Sequence, residues 1–518
     1  MKLSKFKNEP FTNFSTSKNK EAMEKALLKI KKELGHEYPL VIGGNEIRLD
    51  EKIISINPSL PKEVIGIFQK GKVEHGTAAI ETAAKTFESW KNVSVEKRVS
   101  FLIKAASLIR KRKFEFNAAL VYEVGKTWAE ADGDTAEAID FMEFYAREML
   151  RLSKPQPLTK IATEKNELKY FPLGVGIIVP PWNFALAILV GMSTAAIVSG
   201  NTVVIKPSSD SMYTGWKFFA LLKEIGLPDG VINFITGPGG SVGEEMVKHP
   251  QTRFISFTGS RDVGVRINEL AAVVHPGQKW LKRVVAEMGG KDSIVIDDKT
   301  DLDAAAQATV TSAFGYQGQK CSAASRAIVH EKVYNKFVNL VVEKTKKISV
   351  GNPSEKNSNM GPVINKSSMN KILSYIQKGI EEGGELLTGG SQIGEEGFFI
   401  QPTVIGNVSP KATIAQEEIF GPVLAIIKAK NFDDALTIAN NTEYGLTGGV
   451  WTNDRKKIEK AKNEFHVGNF YINRKITGAF VGVHPFGGFN MSGTDSKAGG
   501  KDYLLLFTQA KTISEKIK

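Results

Sequence analysis

The chain has 518 residues, 42% of them hydrophobic and 24% charged, which is long enough for more than one domain and too apolar for a disordered segment. Its net charge of +12 is carried by lysines spread over helical stretches such as Lys20–Lys32 and Lys456–Lys462, with no basic run interleaved with aromatics, so no nucleic-acid partner is expected. A single cysteine excludes a disulfide framework and a cysteine zinc site, and seven scattered histidines show no ligand spacing, so no metal is expected either.

The first residues, Met1-Lys2-Leu3-Ser4-Lys5-Phe6-Lys7-Asn8, hold no apolar core segment or cleavage signal, and a cytoplasmic location is expected. Lys20 to Leu34 places Met23, Ala26, Leu27, Ile30 and Leu34 on one helical face. Short strands are predicted at Ile53 to Pro58 and Glu63 to Phe68, followed by a helical stretch from Val73 to Ala146 with an apolar stripe at Val99, Leu102, Ile103, Ala106 and Ile109. Leu173 to Val198 is uncharged and long enough to cross a bilayer. Pro180-Pro181-Trp182-Asn183 interrupts it, so the stretch reads as a buried strand, a polar elbow and a buried helix, and no membrane partner is expected.

From Gly174 onward, strands at Val175 to Val179, Thr202 to Ile205, Val231 to Thr236 and Phe254 to Thr258 alternate with helix-like stretches. This alternation predicts a parallel α/β sheet with binding groups at the carboxyl ends of its strands. A second alternation begins at about Glu287, with strands at Ser293 to Ile296, Arg326 to Val329 and Val423 to Lys428 and a helix at Val333 to Lys347. Two α/β domains are therefore expected, with a site in the cleft between them. Tyr503 to Ile513 reads as a terminal strand.

The lone cysteine lies in Gly315-Tyr316-Gln317-Gly318-Gln319-Lys320-Cys321-Ser322, whose glycines and polar residues suit a turn rather than a core, so Cys321 is a candidate nucleophile. Glu287 follows the strand Val284-Val285-Ala286 and precedes two glycines, a place that suits either a structural cap or a general base. Asn183 either ties down its turn or donates to an oxyanion. Lys206 follows a buried strand and is either a surface lysine or a ribose ligand. Phe257-Thr258-Gly259-Ser260 opens a helix whose free N–H groups suit a phosphate, whereas Gly237, Gly239 and Gly243 miss the dinucleotide spacing by one residue.

In order along the chain, Pro181-Trp182-Asn183-Phe184, Lys206-Pro207, Phe257-Thr258-Gly259-Ser260, Glu287-Met288-Gly289-Gly290-Lys291, Gly318-Gln319-Lys320-Cys321, Glu418-Ile419-Phe420-Gly421-Pro422-Val423 and Pro485-Phe486-Gly487-Gly488 resemble the motifs of the aldehyde dehydrogenase superfamily. Asn473 to Ala479 and Met491 to Gly500, with Lys320-Cys321-Ser322, narrow the resemblance to its bacterial-type 1-pyrroline-5-carboxylate dehydrogenase branch. That branch oxidises glutamate semialdehyde to glutamate in proline breakdown.

The resemblance implies a cofactor domain at 1–150 and 172–286, a catalytic domain at 287–484, and a small β arm for oligomerisation at 151–171 and 485–518. It implies that Cys321 attacks the aldehyde, that Asn183 and the Cys321 N–H hold the oxyanion, and that Glu287 activates the hydrolytic water. Lys206, Gly259 and Ser260 would serve the adenosine ribose and a phosphate, Glu418 the nicotinamide ribose, and Phe420 the ring. Ser322, Gly478 and Ala479 would hold the substrate carboxylate, with Phe184 and Phe486 against its carbon chain.

Ser209 stands where many strictly NAD-dependent relatives carry glutamate, so NAD is the expected cofactor and NADP is left open. The expected partners are a small semialdehyde and further copies of this chain, as a homodimer or a higher homo-oligomer. The alternatives are a dehydrogenase of another short semialdehyde, such as succinate semialdehyde, or a non-catalytic NAD-binding relative.

Overall fold

The computed structural model describes residues 3–517; Met1, Lys2 and Lys518 lie outside it. Two seven-stranded sheets dominate. In the first, strands Arg283–Glu287, Thr252–Thr258, Val175–Val179, Thr202–Ile205 and Ile232–Phe234 run parallel in that order, and Leu40–Ile42 and Asn45–Ile47 add an antiparallel edge. Burial on both faces explains the near-continuous Val and Ile content of the central strands. The helices Val73–Trp90 and Ala187–Val198 pack against this sheet.

In the second sheet, Thr403–Gly406, Val423–Ala429, Ala324–His330, Asp292–Ile296, Thr447–Trp451 and Asn469–Ile472 are parallel neighbours, with Glu385–Thr388 antiparallel at one edge. A separate antiparallel pair joins Glu164–Pro172 to Thr508–Lys516 in continuous register from Thr508 with Pro172 to Lys516 with Glu164. The α/β class expected from the two alternations is the fold observed.

The early helix spans Ser17–Lys31 and buries Met23, Ala26, Leu27 and Ile30, the stripe that periodicity marked. The stretch from Val73 resolves into four helices, the last being Trp128–Leu152, whose Thr127 and Glu130 form a capping box. One expectation fails. Tyr503–Phe507 is a 3-10 helix and the terminal strand begins only at Thr508, because Tyr503, Leu504 and Phe507 bury themselves in the core around the first sheet. No helix of the described residues is long and apolar enough to cross a membrane.

Among the described residues one group, Asp297, Asp298 and His330, brings candidate metal-ligand atoms within 4.8 Å of one another. Lys457 Nζ lies 2.6 Å from Asp297 and 3.5 Å from Asp298, so an ammonium already answers that charge.

Candidate active site

The register between Thr258 and Glu287 sets both residues at the carboxyl ends of adjacent strands, and one cavity of about 590 Å³ is lined by both of them and by Cys321. The two sheets thus share a single cleft.

Cys321 reaches it through a strained turn. Helix Leu302–Phe314 ends in a 3-10 turn, Gly315–Gly318, in which Tyr316 and Gln317 have φ of 56° and 59°. Such conformations are unfavourable for residues with side chains and persist where the surroundings impose them. Here Glu130 imposes them: its Oε1 accepts from the Tyr316 N–H at 2.5 Å, and its backbone oxygen accepts from the Tyr316 hydroxyl at 3.0 Å. Gly318 is required by close approach, since a Cβ there would lie 2.1 Å from the Gly421 carbonyl oxygen.

Asn183 Nδ2 donates to the Gln319 carbonyl at 3.0 Å. That bond uses one amide hydrogen and fixes the other beside the cysteine loop. The Cys321 N–H makes no hydrogen bond among the described residues. Burial pushes the Cys321 thiol well above its usual range, helped by the carboxylates of Asp292, Glu287 and Glu418 and opposed by Lys320. A resting thiol of this kind needs a base. Burial raises Glu287 to about 8, against the hydrogen bond from Ser496, which donates to Oε1 at 2.7 Å.

Phe184, Ser322, Gly478, Ala479 and Phe486 all line the same cavity. The N–H groups of Gly478 and Ala479 and the hydroxyl of Ser322 donate to nothing among the described residues, which leaves three donors for an anion. Phe184 stacks on Tyr316 with centroids 5.0 Å apart, and Lys320 Nζ sits 3.8 Å from the Tyr316 ring centroid.

Sequence reasoning missed Glu130, Tyr316 and Glu137, of which all three line the cavity. The available signal was helical spacing: Glu130, Asp134, Glu137 and Asp140 recur on one face of Trp128–Leu152, a helix otherwise rich in buried apolar residues. Burial raises Glu137 to about 8, and it has no hydrogen-bond partner among the described residues.

The expected cofactor residues lie outside the walls of this cavity. Lys206 is only 6% exposed, so it is no surface lysine, and burial lowers it to about 8. Ser209 is exposed. Ser260 Oγ caps helix Arg261–Ala272 by accepting from the Val263 N–H at 3.5 Å, with Gly259 just before it.

Glu418 and Phe420 border a separate recess of about 20 Å³. Glu418 Oε1 accepts from the Gly290 N–H at 3.0 Å, and a Cβ at Gly289 would fall 2.2 Å from its carboxylate. Phe420 adopts φ of 58° and meets Trp182 edge-on at 5.6 Å. A carboxylate held in a glycine cradle, a buried lysine at a strand end and a helix N-terminus are donor and acceptor types that suit a dinucleotide's two riboses and its phosphates.

The sequence pattern of the aldehyde dehydrogenase family matches residues 47–513. The chain is similar to a protein named 1-pyrroline-5-carboxylate dehydrogenase from Bacillus cytotoxicus, at 56% identity over 98% of this chain and 99% of the other. It is 57% identical to one of the same name from Anoxybacillus flavithermus, over the same shares of both chains. Among solved structures, 1-pyrroline-5-carboxylate dehydrogenase from Thermus with bound NAD superposes with a TM-score of 0.98, at 49% identity and 100% coverage of both chains.

Proposed function

The chain belongs to the aldehyde dehydrogenase family, and from that premise we propose that it oxidises L-glutamate γ-semialdehyde, the open form of 1-pyrroline-5-carboxylate, to L-glutamate with reduction of NAD. The observation that carries the substrate is the set of three unused donors at Ser322, Gly478 and Ala479 in the cavity that also holds Cys321. Backbone N–H groups and a hydroxyl bind a carboxylate, while Phe184 and Phe486 cover the methylenes.

Cys321 Sγ gives up its proton, to Glu287 in this reading, and bonds to the aldehyde carbon. The second amide hydrogen of Asn183 and the Cys321 N–H hold the oxygen that becomes negative. Bound NAD supplies the acceptor for the hydride that leaves the same carbon. A thioester on Cys321 remains. Glu287, once it has passed the thiol's proton on to solvent, takes a proton from water as the water oxygen bonds to the thioester carbon, the C–S bond breaks and the sulfur leaves as thiolate.

Glu418 holds the nicotinamide ribose and Phe420 packs by the ring. Lys206 and Ser260, next to Gly259, serve the adenosine ribose and a phosphate. Ser209 brings no charge to repel a 2′-phosphate, which is why NADP belongs in the assay. Residues 1–150 with 172–286 form the cofactor half, 287–484 the catalytic half, and 151–171 with the C-terminal strand of 485–518 the oligomerisation arm. The antiparallel pair of Glu164–Pro172 and Thr508–Lys516 supports homo-oligomerisation, because a two-stranded ribbon is marginal by itself and offers open edges. The location is cytoplasmic.

A succinate-type semialdehyde is the weaker reading. It carries no ammonium group, and Glu137 puts an otherwise unpartnered carboxylate into the cavity wall, which suits an amino acid. The test is NADH or NADPH formation across a panel of semialdehydes. Preference for glutamate semialdehyde supports the proposal, equal or better turnover of succinate semialdehyde overturns the substrate, and no reduction with any aldehyde overturns the activity.

A further inference from the structure

The two oxygens of the Glu287 carboxylate are in different states. Oε1 accepts from the Ser496 hydroxyl at 2.7 Å, whereas Oε2 is buried with no hydrogen-bond partner among the described residues. A base that activates water needs this asymmetry: one oxygen fixed and the other free to take a proton.

The loop that carries Ser496 is built for placement. It is stapled to the strand that ends at Glu287: the Met288 N–H donates to the Ser492 carbonyl at 2.8 Å, the Thr494 N–H to the Ala286 carbonyl at 2.9 Å, and the Ala286 N–H to Thr494 Oγ1 at 3.1 Å. Both neighbours of Ser496 are strained, with φ of 51° at Asp495 and 50° at Lys497. Lys497 Nζ clamps the turn by donating to the Gly468 and Gly487 carbonyls at 2.8 Å each. Ser496 itself is 5% exposed, and its hydroxyl donates only to Glu287 among the described residues. Strain maintained on both sides of one buried hydroxyl is the pattern of a functional contact.

We propose that Ser496 is a positioning residue for the hydrolytic half of the reaction, holding Oε1 of Glu287 so that Oε2 faces the water that attacks the Cys321 thioester. This rests on the reading of Glu287 as the hydrolytic base. In the step it serves, the water oxygen bonds to the thioester carbon, one water proton moves to Oε2, and the C–S electron pair leaves on Cys321. The proton then passes from Glu287 to the thiolate.

The donated hydrogen bond favours the charged carboxylate, so its loss moves the base upward. The other titratable groups facing Glu287 are Lys497 and Asp495 in the same loop, Cys321 on its turn and Tyr503 on the 3-10 segment. All of them remain when the hydroxyl is removed.

The test needs no cofactor. Cys321 is acylated with an aryl acetate, and loss of the acetyl group is followed by mass spectrometry between pH 6 and 10, a range of about two units either side of the base. In Ser496→Ala the pH midpoint of deacylation is expected to rise by about one to two units, with a tenfold to hundredfold loss at neutral pH and recovery at high pH. Ser496→Thr restores the original profile. A uniform loss at every pH, or no change, overturns the proposal. If the alanine variant fails to fold, the isosteric pair Ser496→Thr and Ser496→Val differ only in the hydroxyl, and identical profiles for the two overturn it. Glu287→Gln separates the two readings: acyl-enzyme that persists in this variant beside an unmoved Ser496→Ala profile sinks the role of Ser496 alone, whereas normal deacylation in Glu287→Gln sinks the base itself.

Discussion

Replacing Ser322 by alanine separates substrate reading from support of the nucleophile loop. Ser322 is a largely buried residue of the cavity wall whose hydroxyl donates to nothing among the described residues, so its removal breaks no internal hydrogen bond. Its expected cost falls on the substrate carboxylate. A hydrogen bond to a charged group is worth about 1.5–3 kcal/mol, which is roughly one to two decades in kcat/KM for glutamate semialdehyde. An aldehyde of similar length without a carboxylate never makes that bond, so its kcat/KM should stay within about twofold. The assay is NADH formation with both aldehydes under identical conditions, and the ratio of the two losses is the diagnostic. Equal losses would mean that Ser322 only shapes the Cys321 loop, and the anion cradle would lose its third donor.

Cys321→Ala should abolish aldehyde oxidation while NAD affinity, read by titration calorimetry, stays close to that of the parent protein. Hydrolysis of the acyl-enzyme should rise about tenfold per pH unit below 8 and level off above it, because burial holds Glu287 up at about 8 and only its ionised form takes the proton; a flat rate between pH 6 and 8 would count against that role. Glu137→Gln should raise KM for glutamate semialdehyde about tenfold and leave succinate semialdehyde nearly unaffected, since only the first offers an ammonium to this half-buried carboxylate in the cavity wall. Glu130→Ala frees the Tyr316 turn, so the alkylation rate of Cys321, the only thiol in the chain, should change at least severalfold at unchanged NAD affinity; an unchanged rate would mean that the turn holds its shape without Glu130.

The strands Val175–Val179 and Thr202–Ile205 were legible to the residue because they are short runs rich in valine and isoleucine, with a glycine within two residues before each and a proline within two residues after. Thr447–Trp451 and Asn469–Ile472 were not. Gly448 and Gly449 dilute the first, where Gly449 lets the strand approach the Tyr471 carbonyl, and the second is too brief for alternation to register. Tyr503–Phe507 misled for the opposite reason, since five consecutive hydrophobic residues read equally well as strand or helical turn. The candidate site divides in the same way. Residues on turns after strands announce themselves through glycine, proline and polar residues. Glu137 and Glu130 sit inside a long helix, where an acidic residue ordinarily signals a solvated face.

That helix, Trp128–Leu152, connects the parts of the site. At its first turn Glu130 holds the Tyr316 N–H and thereby the turn that presents Cys321. One turn later Asp134 accepts from the Ala187 N–H at 2.6 Å, fixing the start of the helix that follows Asn183, and meets Lys126 Nζ at 2.5 Å. At the far end Asp140 receives the Asn8 side chain and the Glu9 N–H, each at 2.7 Å, and so pins the N-terminal segment whose Phe11 also lines the cavity. Each of these acids is answered by a protein donor. Glu137, in the middle of the same face, is not, although the charges of Lys126 and Lys320 reach it. Glu137 is half-buried, and the removal of water from its carboxyl holds it up at about 8. A substrate ammonium placed beside Glu137 would favour its charged form on binding, so in the proposed reading the helix that holds the Tyr316 turn and the start of the helix after Asn183 would also favour an amino-acid aldehyde.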